Sequence, residues 1–233
     1  MDTRSRYLQE MGITQWVRRD TDFHPAPGIG AAQDLNTDAN DLIQNDQLLA
    51  DLLTQVETCR QCDLYRTRYM PVFGVGPVPA NLMIVGEAPS AEDDRQGIPF
   101  VGRVGKLLDA MLLSIGFRRE DVYVANALKC RPPDDRDPFA EELTHCNPFL
   151  LQQIERIQPK VILALGKAAV QSLLDTNESL DQLRNTGPAR EVAGVSVIAT
   201  YHPAYLLQSP GAKSESWKDL YRARQLLING SSS

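Results

Sequence analysis

Four short apolar runs, each followed by a segment of helical periodicity, constrain this chain more than any other feature. ANLMIVG (80–86), VYVAN (122–126), KVILALG (160–166) and VSVIAT (195–200) are too short for buried helices and read as buried strands. Between them, Leu107, Leu108, Met111, Leu112 and Ile115 recur at helical spacing, with Gly116 as the stop. Residues 139–157 read as a helix ended by Pro159, and residues 167–174 and 214–228 as two more. Upstream, Leu48, Leu49, Leu52, Leu53 and Val56 mark another helix face. Strands alternating with helices demand a mostly parallel sheet covered on both faces, and such sheets bind ligands beyond the carboxyl ends of their strands. The turns after residues 86, 126, 166 and 200 are therefore the places to search.

A chain of 233 residues suits one substantial core. Its 42% hydrophobic and 23% charged residues, of mixed sign, describe a globular protein. No stretch approaches the ~18 apolar residues of a membrane span. MDTRSRYLQEMGITQW has no apolar h-region before a small-residue cleavage site, so the expectation is a cytoplasmic protein, monomeric and not membrane-bound. Three segments follow from composition. Residues 1–19 hold an isolated apolar element (Tyr7, Leu8, Met11, Ile13, Trp16, Val17), residues 20–45 read as a flexible linker, and residues 46–229 form the domain. An apolar peptide on a tether is a docking peptide, or else a terminal helix packed back on the body.

The net charge of −6 is local. The first 58 residues carry four arginines against ten acidic residues, and the rest of the chain is balanced. A neutral body still presents phosphate-binding faces where basic residues cluster. Arg60, Arg66 and Arg68 form one such group, and Lys129, Arg131 and Arg136 another; scattered solvated arginines are the plainer reading.

Cys59 and Cys62 form a C-x-x-C pair, with Cys130 and Cys146 far downstream. Buried structural thiols are one reading, but four cysteines with none to spare fit a four-ligand site better. Zinc and a [4Fe–4S] cluster both take four thiolates, and spacing alone does not decide between them. In either case the role is structural, because four protein ligands leave no open position for a substrate.

Two strand-end turns hold the polar groups. GEAPSAEDDRQGIPFVGRVG (86–105) offers Gly86 for close backbone approach, Glu87 at the strand end and Phe100 as a loop aromatic able to stack on a base. Its plain reading is a tight turn, a core Phe and a solvated acidic run, Glu92, Asp93 and Asp94. TYHPAYLLQSPGAK (200–213) puts His202 directly after the last strand and before Pro203, which keeps it extended. A lone His there is equally a structural cap. Asn126 ends another strand at the same edge, and its amide offers the donor and acceptor that read a base's Watson–Crick edge. Neither His24, in the linker, nor His145, beside Cys146, is as well placed.

The C-x-x-C pair, NALKCRPP around Cys130, GEAPS, IPFVGRVGKLL, LGKAA and HPAYLL occur in order over roughly residues 55–227. As a set they resemble the iron–sulfur (family 4) uracil-DNA glycosylases. The resemblance implies a three-layer α/β/α sandwich with a four-stranded parallel sheet, and a [4Fe–4S] cluster on Cys59, Cys62, Cys130 and Cys146. It implies a flipped uracil stacked on Phe100 and read by Asn126, with backbone around Gly86 and Ala88 lining the pocket. Glu87 falls in the water-activating motif, and His202 donates to the uracil O2 as the base departs. Leu206 and Leu207, on the loop after His202, are then candidate wedges into the base stack. Two positions depart from the family pattern. Ser90 stands where Gly is usual, which puts pocket shape in doubt, and Gln208 stands where a basic residue is common, which removes a phosphate contact.

A second resemblance lies in YLQEMGITQWVRRD (7–20), which looks like the N-terminal peptide of the psi subunit of the DNA polymerase III clamp loader. It implies that residues 5–19 bind clamp-loader ATPase subunits. Three functions stay open at this point: an enzyme that excises uracil from DNA, a non-catalytic psi-like adaptor that keeps the fold and cluster, and a zinc-stapled binding module.

Overall fold

The computed structural model describes residues 39–185 and 189–229. The docking peptide expected at 1–19 and most of the expected linker lie outside the described residues. The first helix, α1, spans Ala39–Thr58 and takes in 39–45, which composition had assigned to the linker. The last Gly and Pro of that stretch, Gly30 and Pro27, lie well upstream, so 39–45 holds no helix breaker.

The remaining elements follow the expected alternation. They are β1 (Leu82–Gly86), α2 (Ala91–Gln96), α3 (Gly102–Ser114), β2 (Tyr123–Asn126), α4 (Ala140–Ile157), β3 (Val161–Leu165), α5 (Lys167–Leu174) and α6 (Leu180–Asn185). β4 (Arg190–Val192), β5 (Val195–Thr200), α7 (Pro203–Gln208) and α8 (Lys213–Asn229) complete the chain. The sheet order is β2-β1-β3-β5-β4, parallel except at β4. The expected four-stranded parallel sheet is therefore present with one addition: an antiparallel edge strand of three residues. β4 joins β5 through Ala193 and Gly194, both at positive φ (50° and 76°) as a two-residue hairpin requires.

Both sheet faces are buried. Leu82, Ile84, Val124, Leu163 and Ile198 pack on one side against Leu108 and Leu112 of α3 and Leu220, Ala223 and Leu227 of α8. Met83, Val85, Ala125, Ile162 and Ala164 pack on the other against Leu150 and Ile154 of α4 and Val170 of α5. The alternation of neighbours between two cores is what makes the fold three-layered. A third, smaller cluster joins Leu52 and Val56 of α1 to Leu64, Phe73, Leu128 and Phe149, and Cys130 and Cys146 belong to it. Among the described residues, no helix is long and apolar enough to cross a membrane.

Candidate active site and cysteine site

Parallel pairing puts Gly86 directly opposite Asn126, so the ends of β1 and β2 meet at one edge. A Cβ at Gly86 would collide with Asn126 Oδ1 and with the Phe100 ring, so glycine is what lets these two groups converge. The Phe100 ring lies 5.4 Å from the His202 ring, centroid to centroid. Gly86, Phe100, Asn126 and His202 thus meet at the carboxyl ends of β1, β2 and β5. Beside them opens a cleft of about 360 Å³ lined by Glu87, Ala88, Ser90, His202, Tyr205 and Gln208, among others. That size accommodates a nucleobase and part of its sugar.

Asn126 is fully buried, and neither its Nδ2 nor its Oδ1 has a hydrogen-bond partner. An unpaired buried amide costs on the order of 1–3 kcal/mol per lost group, so its retention needs a reason. Its backbone, by contrast, is held tightly. The Asn126 carbonyl accepts from Lys129 Nζ at 2.8 Å, and the same ammonium donates to Gln153 Oε1 at 2.6 Å. Gln153 Nε2 in turn donates to the Phe73 carbonyl at 3.0 Å and to Tyr123 Oη at 3.3 Å. This network fixes the strand end and leaves the amide to something else.

His202 caps α7, its Nδ1 accepting from the Ala204 N–H at 3.2 Å. The structural role and the functional one are therefore compatible. With Nδ1 an acceptor, the ring proton sits on Nε2. Burial depresses the imidazole pKa to about 4, so the ring is a neutral donor near neutral pH. Burial, aided by the charge of Asp137, raises the Glu87 carboxyl above its usual range.

Ser90 caps α2 in a reciprocal box with Asp93 and faces the cleft, as does Gln208, so both departures lie on its wall. Only Glu92 of the acidic run is solvated; Asp93 and Asp94 are each 5% exposed. Asp94 accepts the Tyr69 N–H at 3.0 Å, and Asp93 serves backbone N–H groups on two loops. The segment after His202 is a helix rather than a loop. Leu206 is 1% exposed and packs in the main core, which takes it out of reach of a base stack; Leu207 is half-buried, and Tyr205 and Gln208 are the exposed residues of α7.

The basic clusters also resolve differently. Arg68 donates to the Val56 and Glu57 carbonyls at the end of α1 and to Cys130 Sγ at 3.0 Å. Lys129 is buried, Arg131 pairs with Asp135 at 2.6 Å, and Arg136 makes a two-pronged pair with Glu142. Of the six, Arg60 and Arg66 are exposed, Arg66 pairing with exposed Asp63, and the partner of Arg131, Asp135, is exposed as well.

All four cysteines line one small hollow, together with Arg68, Lys129 and His145. Cys59 and Cys62 follow α1, Cys130 lies past β2, and Cys146 sits on α4. As thiols, Cys62, Cys130 and Cys146 are pushed up by burial, Cys146 to about 12, so a metal centre bound there would displace protons.

A family model described as the uracil DNA glycosylase superfamily matches residues 73–223. The chain is 45% identical over 185 residues to a type-4 uracil-DNA glycosylase of Archaeoglobus fulgidus, covering 76% of this chain and 92% of that protein. It is 42% identical over 165 residues to the type-4 enzyme of Thermotoga maritima, covering 70% and 85%. With that of Pyrobaculum aerophilum the identity is 40% over 171 residues, covering 71% and 87%.

Proposed function

Because the chain belongs to the uracil-DNA glycosylase superfamily, and within it to the type-4 family, we propose that it hydrolyses the N-glycosidic bond of a flipped-out uracil in DNA. The observation that carries this reading is the buried, unpartnered amide of Asn126. Uracil presents an N3–H donor beside an O4 acceptor, and an Asn amide answers both at once. Extruding the base costs a few kcal/mol, least for a mispaired one, and stacking on Phe100 offsets part of that cost.

Bond cleavage leaves negative charge on the base. The neutral His202 donates from Nε2 to the uracil O2 as that charge grows, a contribution typically worth ~10²–10³ in rate. Gly86 and Ala88 line the pocket with backbone, and Glu87, its basicity raised by burial, orients the attacking water. No electron transfer is needed.

A [4Fe–4S] cluster on Cys59, Cys62, Cys130 and Cys146 completes the reading. Four sulfurs around one hollow support it. Zinc and a cubane both take four thiolates, and membership of the type-4 family favours the cubane. When bound, the cluster ties α1, the segment after β2 and α4 together.

The depressed pKa of His202 gives a direct test. The folded value, about 4, lies below the ordinary 6.5, so the unfolded chain takes up this proton first as pH falls. Stability owed to the neutral ring is full above 6.5 and is lost from there towards 4. His202→Gln is expected to flatten that part of the stability-against-pH curve relative to wild type, in parallel thermal melts. An unchanged slope would mean that the ring titrates as an ordinary exposed histidine.

The enzyme is cytoplasmic and monomeric in this reading, and residues 5–19 tether it to clamp-loader ATPase subunits. The apolar element and its Gly- and Pro-rich leash support the tether. A peptide of residues 1–25 is expected to bind the clamp-loader ATPase in a fluorescence titration; absence of binding removes the tether and leaves the glycosylase reading intact.

A further inference from the structure

Phe100 adopts a backbone that a residue with a side chain seldom takes, with φ at 55°. Such conformations persist only where the surroundings over-determine them, and they gather at functional sites. Three elements converge on this one. The Arg119 guanidinium, from the turn before β2, donates to the Phe100 carbonyl at 3.4 Å and to the Pro99 carbonyl as well. On the other side, the Val101 N–H donates to Asp93 Oδ1 at 2.8 Å, and the second oxygen of that carboxylate accepts the Ser90 N–H at 3.0 Å. Beneath, Gly105 of α3 lies so close to the Phe100 carbonyl oxygen that a Cβ there would collide with it.

We propose that Arg119 is a positioning residue for base binding, holding Phe100 in its strained backbone so that the ring is set in place before the base arrives. The proposal rests on Phe100 being the stacking face. Arg119 is not among the residues lining the cleft, so its effect passes through the loop it grips. Its planar fork reaches two successive carbonyls at once, which a lysine ammonium on a flexible stem does not hold in one geometry. The ion pair with Asp109, at 3.3 Å and half-exposed, orients the guanidinium from outside. Without that grip Phe100 relaxes towards negative φ, and its ring leaves the place beside Gly86 and His202.

The test is a double-mutant cycle on the iron-loaded full chain: wild type, Arg119→Leu, Phe100→Ala and the double variant. Inhibition of uracil release by free uracil reports base binding, with kcat, KM, cluster absorption and unfolding temperature measured alongside. Phe100→Ala is expected to weaken uracil inhibition about tenfold through lost stacking. Arg119→Leu is expected to weaken it about fivefold with cluster absorption unchanged, and to add nothing in the Phe100→Ala background. Equal losses with and without the ring, or no loss at all, would make Arg119 a purely structural residue and overturn the proposal. If Phe100→Ala itself leaves uracil inhibition unchanged, the stacking reading fails and takes the proposal with it. Should Arg119→Leu not fold, Arg119→Lys carries the same cycle, with an expected weakening of about threefold.

Discussion

Asn126→Leu is expected to abolish uracil release while raising the unfolding temperature. The two effects have one origin. The Asn126 amide is buried with both polar atoms unpaired, so it burdens the folded protein until a ligand answers it. Replacing it with an apolar side chain of similar volume removes a desolvation penalty of about 1–3 kcal/mol. In a chain of this size that corresponds to a rise of roughly 2–10 °C. Lys129 and Gln153 hold the Asn126 backbone, not its side chain, and so remain satisfied. Catalysis moves the other way: a site built to hydrogen-bond its substrate loses at least ~10² in kcat/KM when that group goes. Thermal melts beside uracil release check both. A variant that is active and less stable would show that the amide is paired in solution and does not read the base.

Cys146→Ala is expected to remove the cluster's visible absorption and the bound iron together. The unfolding temperature should fall by on the order of 10 °C or more, because metal binding to such sites is largely folding free energy. The small core shared by α1 and α4 rests on Leu52, Val56, Leu64, Phe73 and Phe149 with the cysteines among them. Lost amide protection should therefore concentrate in α1 and in residues 59–68. The main sheet, with its two larger cores, should keep its protection longest. Unchanged iron content in this variant would exclude Cys146 as a ligand.

The strands and long helices were legible because apolar runs and helical periodicity are local signals. β1, β2, β3 and β5 each coincide with an apolar run, and α3, α4, α5 and α8 with a periodic one. β4 was not legible: it is three residues long, two of them charged and none buried, and its turn places Ala193 at positive φ where Gly or Asn is the usual signal. Ser90 and Asp93 form a capping box that starts α2, a helix within the stretch read from the sequence as a tight turn and an acidic run. The fates of the basic residues were not visible. Nothing near Lys129 announces that Gln153, on α4, will receive its ammonium, nor that Arg68 will close the end of α1 and reach Cys130. Leu206 misled for a similar reason. Pro203 starts a helix at N1 whose inner face covers the core, and the leucine that seemed free on a loop lies on that face.

The most direct test of the account is uracil release from a labelled uracil-containing oligonucleotide, read as alkali-sensitive strand cleavage by the iron-loaded full chain beside His202→Ala and Asn126→Ala. The account predicts cleavage by the wild type and a fall of ~10²–10³ in each variant. No cleavage by folded, iron-loaded wild type would contradict it, leaving the Asn126 amide as a relic and the N-terminal peptide as the part of the chain to follow.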